Sequence, residues 1–136
     1  MSKNSNLINE LDRKFSGYYE YNKEIAIRKE ELKLKESDEN IGGGRSNIIS
    51  KPVENQIVKE LSDPFIANRL MWKKAIKETL EEQSQQVQSL MYSKYWGEDS
   101  WMDWVSFGDK YGYSKPTIYR LRQKVLFTFA KKIGEI

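Results

Sequence analysis

Two residue types are missing from this sequence altogether: it has no cysteine and no histidine. Without cysteine there is neither a disulfide framework nor a thiolate metal site, so a reducing compartment suits the chain. Without histidine the commonest general base and metal ligand is gone, and the Ser–His and Cys–His nucleophile pairs go with it. The expectation is a protein that is not an enzyme and holds no cofactor or metal. Acidic pairs such as Glu81-Glu82 and Glu98-Asp99 read as solvated faces or helix ends rather than as a metal or acid–base site. No apolar run approaches the roughly 18 residues that a membrane span needs, and the opening Met1-Ser2-Lys3-Asn4 has no apolar signal-like stretch. A cytoplasmic location with no membrane partner is expected. Segments alternating at period two are lacking as well, which makes the expected fold class all-α.

What is present is enough for one compact domain with a helical extension: 136 residues, 38% apolar, with 4 Trp, 8 Tyr and 5 Phe. The net charge of +3 is unevenly spread. Residues 1–36 carry 8 basic and 7 acidic groups, 37–113 carry 9 and 12, and 114–136 carry 6 and 1. A basic excess confined to the C-terminus suits phosphate neutralisation, although a basic last helix can also complement its own dipole.

Over 1–36, Ile8, Leu11, Phe15, Tyr18, Asn22, Ile25, Lys29 and Leu32 recur at steps of three and four. This heptad spacing predicts a long helix. Its seam either pairs with a second copy as a coiled coil, with Asn22 setting register, or packs on later helices of the same chain; Lys29 and Gly17 weaken the first alternative. Residues 37–51 read as a linker because of Asn40-Ile41-Gly42-Gly43-Gly44-Arg45-Ser46-Asn47. A phosphate loop is excluded there, since the glycines are not followed by Lys and Ser/Thr. Residues 52–136 are expected to form a helical domain. Pro52 opens a short helix over 53–61, and Asp63-Pro64, a cap followed by proline at the first position, opens another to about Glu82. A further helix over 85–95 presents Val87, Leu90, Met91 and Tyr95, and Gly97 ends it.

The last third carries the functional signal. Ser100 with Asp103 three residues on fits a helix start, and a short helix to Tyr111 follows. In Tyr111-Gly112-Tyr113-Ser114, Gly112 can take a positive φ, Tyr113 can place its ring in the core and Ser114 can cap the final helix. Along that helix Ile118, Leu121, Val125 and Phe129 form one stripe, while Arg120, Gln123, Lys124 and Lys131 project from the other side. Gly108 lets the two helices approach closely. This predicts a helix-turn-helix over about 100–133 that binds double-stranded DNA. Arg120 suits bidentate pairing with guanine and Gln123 with adenine, while Lys115, Thr117, Tyr119 and Lys124 suit phosphates. The alternative is a solvated basic face on an ordinary hairpin. The aromatic cluster Tyr95, Trp96, Trp101 and Trp104 reads either as core or as a docking patch for a partner such as RNA polymerase.

Residues 97–124, Gly-Glu-Asp-Ser-Trp-Met-Asp-Trp-Val-Ser-Phe-Gly-Asp-Lys-Tyr-Gly-Tyr-Ser-Lys-Pro-Thr-Ile-Tyr-Arg-Leu-Arg-Gln-Lys, resemble the region 4 helix-turn-helix of sigma-70-type factors. With the Asn-Ile-Gly-Gly-Gly linker and the Ser114, Thr117, Arg120, Leu121, Lys124 pattern, nearly the whole chain is similar to the RinA and ArpU-like phage transcriptional regulators. The resemblance implies an activator of phage late genes for morphogenesis or packaging, bound near a promoter in the bacterial host and, like most helix-turn-helix proteins, a homodimer. Two other functions share these features: a small terminase subunit, which joins a helix-turn-helix to an oligomerising helix, and an adaptor that contacts host RNA polymerase.

Overall fold

The computed structural model describes residues 3–41 and 52–136. Among these the fold is all-α: seven α-helices, one short 3-10 turn and no strand. The helices are α1 (Lys3–Ser16), α2 (Tyr21–Ile41), α3 (Pro52–Ser62), α4 (Pro64–Glu81), α5 (Gln85–Trp96), α6 (Trp104–Lys110) and α7 (Lys115–Lys132). None is long and apolar enough to cross a membrane.

The expected single N-terminal helix is two helices, separated at Gly17 and the 3-10 turn Tyr18–Glu20. Glycine is a poor helix interior residue, and α1 stops there, with Gly17 N donating to Lys14 O at 3.3 Å. The expected linker also starts too early, because α2 runs on through Ile41. Its glycines, Gly42, Gly43 and Gly44, lie outside the described residues.

The chain divides into two compact units with boundaries unlike those expected at 36 and 51: one holds residues 1–18 and 72–136, the other 19–71. The second is a small helical unit in which α2 packs on α3 and Ile25, Leu32 and Ile66 form the core. Asp63 is buried and caps α4, accepting from Ile66 N at 3.1 Å, as the Asp-Pro pair predicts. Its carboxylate also takes Arg28, Nη2 to Oδ1 at 2.7 Å and Nε to Oδ2 at 3.1 Å, and this pairing holds the acid below its ordinary range. Burial pushes the Tyr21 hydroxyl up to about 12.

The other unit is built around α7. Leu11 and Phe15 of α1, Phe107 of α6, and Ile118, Val125, Leu126 and Phe129 of α7 are all fully buried. The Phe15 ring meets Phe129 edge-on at 5.6 Å and Tyr95 at 4.8 Å. Polar ties fix the same contact: Tyr95 donates to Asp12 Oδ1 at 2.6 Å, Trp96 Nε1 to Ser16 O at 2.9 Å, and Lys14 to Glu135 at 3.0 Å. The heptad stripe is therefore used inside the chain. Leu11 and Phe15 go to this core and Ile25 and Leu32 to that of residues 19–71, so these residues are not open as a coiled-coil seam, while Asn22 is exposed.

Candidate nucleic-acid interface

Helices α6 and α7 with the four residues between them form the helical hairpin expected over about 100–133. The start of α6 is set by Asp103, whose Oδ1 accepts from Ser106 N at 2.7 Å. Ser100 is not the cap; it lies in the preceding turn, where its N–H donates to Gly97 O at 3.2 Å. The chain reverses at Gly112, whose φ of +82° is one that side chains with a Cβ rarely adopt. Tyr113 N then donates back to Gly108 O at 2.8 Å, which closes the turn. At the crossing, a Cβ on Gly108 would stand 3.0 Å from Ile118 Cβ and 3.2 Å from Tyr113 O, closer than side chains usually pack, so a larger residue would need its neighbours to shift. Ser114 holds the cap position of α7, but its hydroxyl donates to Thr117 Oγ1 at 2.9 Å instead of accepting from the backbone. Tyr113 stays at the margin of the core, half-buried, with its hydroxyl accepting from Gln86 Nε2 at 3.3 Å.

A buried carboxylate anchors the hairpin. Asp99 is 1% exposed and accepts from Ser93 Oγ at 2.6 Å, Lys110 Nζ at 2.6 Å and Tyr111 Oη at 2.5 Å. These donors hold its carboxyl down at about 2, the Lys110 ammonium contributing most. Of the two readings of Glu98-Asp99, a solvated face or a helix end, Asp99 fits the second: it is buried just beyond the end of α5. It joins the end of α5 to the last turn of α6, immediately before Gly112.

The cations of α7 fall into two sets. Arg122 and Lys132 are committed to this unit: Arg122 Nε lies 3.5 Å from Asp12 Oδ1 with its guanidinium over Trp104, and Lys132 pairs with Glu82. Lys115, Arg120, Lys124 and Lys131 are exposed, and no ion pair joins them to an acid among the described residues. Thr117 is exposed with them, and Tyr119 is 38% exposed. Gln123, expected on the same open face, is half-buried beside α1 instead, lining a cleft with Ser5, Ile8, Asn9, Tyr119 and Arg122. Of the apolar stripe, Ile118, Val125 and Phe129 are buried and Leu121 is at the edge. Arg122 was legible as a packed residue, since it stands four after Ile118 on that stripe.

The aromatic cluster divides. Trp104 is buried, Tyr95 and Trp96 are half-buried against α1, and Trp101 is 80% exposed. Charge follows the same division of the chain: residues 1–18 and 72–136 hold 14 basic against 10 acidic groups, and 19–71 hold 9 against 10.

No curated protein and no solved structure matches this chain. A family model described as "Protein of unknown function (DUF722)" matches residues 7–131, a span that takes in all but the last residue of α7 and all but the first turn of α1. The chain belongs to that family.

Proposed function

We propose that this protein is a sequence-specific regulator of transcription that binds double-stranded DNA through α7. The observation that carries the reading is the division of the α7 cations. On the packed side Lys132 pairs with Glu82 and Arg122 lies beside Asp12, while Lys115, Arg120 and Lys124 keep their charge for an external partner. A phosphate backbone is the partner that rewards such a face, because each lysine or arginine brought against it releases condensed counterions. Arg120, at the centre, is the base-reading residue, with Lys115, Thr117, Tyr119 and Lys124 around it as phosphate contacts.

The resemblance to the RinA and ArpU-like regulators extends this to activation of phage late genes in the host cytoplasm. Such a role requires no catalytic step. Self-association belongs to the same reading, since paired half-sites strengthen a helix that reads few bases. One apolar surface open to a second copy is in residues 19–71, where Ile57, Val58 and Leu61 of α3 are 49–74% exposed. An adaptor that contacts host RNA polymerase is the second reading, favoured by Trp101 at 80% exposure. Titration of labelled duplexes from a candidate late promoter, over a salt series and against unrelated competitor DNA, tests the main reading. Preferential binding with a steep salt dependence supports it, and no binding to any duplex at low salt overturns it.

A further inference from the structure

The cleft between the start of α1 and α7 is unaccounted for by the helix-turn-helix alone. Its volume is about 350 Å³, and it is lined by Ser5, Ile8 and Asn9 of α1 and Tyr119, Arg122 and Gln123 of α7. No carboxylate among the described residues lines it, and its polar groups are rich in donors: two primary amides, hydroxyls and a guanidinium. The nearest acid placed by an ion pair is Asp12, 3.5 Å from Arg122 Nε, and that acid already accepts from Tyr95. Among the described residues Arg122 Nε is buried with no hydrogen-bond partner, and the Asp12 carboxylate 3.5 Å away does not satisfy it.

On α7 the cleft lies to one side of the open face. Tyr119 and Gln123, one turn apart, form its wall, while Arg120 and Lys124, each one residue on, are exposed. Both α6 and α1 pack on α7, so α1 is a second flank to the presented face. A duplex seated on that face must pass its backbone over a flank, and a donor-lined cleft there suits a phosphate rather than a base edge.

We propose that this cleft is a seat for a DNA backbone phosphate, with Asn9 of α1 and Gln123 and Tyr119 of α7 as its donors and Arg122 as the charge behind them. The inference rests on the DNA-binding reading and deepens it: Gln123 holds the backbone instead of reading adenine, and α1 belongs to the interface as well as to the core.

Asn9 is exposed, so changing its side chain should have little effect on folding, to be checked by circular dichroism melts of the full chain. Asn9→Asp should weaken binding to a random-sequence duplex by about fivefold or more at moderate salt, by placing a negative charge beside a phosphate. Asn9→Lys should strengthen it and steepen the slope of log affinity against log salt by about one. Gln123→Ala should weaken random and promoter duplexes by similar factors. If both Asn9 variants bind as the parent does while Lys124→Ala weakens binding, the α1 seat is wrong and the α7 reading stands. If the parent binds no duplex, the reading itself fails. Inorganic phosphate is the remaining arm: shifts of the Asn9 and Gln123 side-chain amide signals on adding phosphate, with DNA affinity indifferent to Asn9→Asp, would make the cleft a small-anion site and overturn the proposal.

Discussion

Gly108 and Ile118 touch so closely that a methyl group on the first would lie 3.0 Å from both Cβ and Cγ2 of the second. Ile118 is fully buried and Cβ is the stiff end of its side chain, so the neighbour has little room to yield. Gly108→Ala gains about 1 kcal/mol of helix propensity, but the overpacking penalty of about 1–3 kcal/mol outweighs it. Urea denaturation should show Gly108→Ala modestly destabilised and Gly108→Val more so. A stabilised Gly108→Ala would mean that the two helices separate at no cost.

Gly112 presents the opposite case, because a Cβ there meets nothing within 4 Å and only its φ of +82° resists substitution. Gly112→Val should cost about 1–3 kcal/mol, and Gly112→Asn distinctly less, since asparagine tolerates left-handed backbone. Equal melting temperatures for the two variants would show that the strain is not conformational.

Asp99 links pH to the hairpin. Its folded carboxyl sits at about 2 against an ordinary value of 3.8, so the stability it contributes is present above about pH 4 and is lost as pH falls towards 2. Asp63 and Asp103 are also held low and add to the acid loss. Asp99→Asn should therefore lower stability at neutral pH and flatten the decline below pH 4 relative to the parent. An acid limb of unchanged steepness would remove Asp99 from that role.

Much of this arrangement was legible in the sequence where a signal is local. Asp63-Pro64, Gly112 in the turn and the stripe from Ile118 to Phe129 each depend on neighbours within a few residues. What escaped depends on distant partners. Nothing near Asp99 announces that Lys110 and Tyr111 will close over it, and nothing near Phe15 announces Phe129. Trp101 and Trp104 are three apart and both aromatic, yet α6 begins at the second and only that one turns inward. Gln123 was assigned to the open face because spacing along α7 shows where a side chain stands but not that α1 lies beside it.

Phe15 tests whether the N-terminal residues are an arm or a part of the core. The ring is fully buried among Tyr95, Trp96 and Phe129, and Phe15→Ala should cost about 3–5 kcal/mol. Removal of residues 1–18 should destabilise α7 as well, read by protection of its amides from hydrogen exchange. A truncated chain that melts like the parent would restore the arm.

Arg120 and Lys124 should differ in kind. Arg120→Ala should cost about 1–3 kcal/mol on a cognate site and relax preference at one base pair, with weaker effect on unrelated DNA. Lys124→Ala should weaken all duplexes alike and reduce the salt slope by about one. Neither should unfold the unit, because both side chains are exposed. Equal losses on every sequence for both variants would make Arg120 a second phosphate contact.

The tie between Lys14 and Glu135 spans 121 positions, and α1 meets α7 across nearly the same separation. A chain leaving the ribosome thus carries α1 without its main partner until α7 has emerged, with Leu11 and Phe15 uncovered meanwhile. Closing so long a loop is slow compared with forming a local hairpin. Residues 19–71, held by shorter-range ties such as Arg69 to Glu24, can fold during synthesis, while the unit that α1 and α7 share is completed only after α7 has been made.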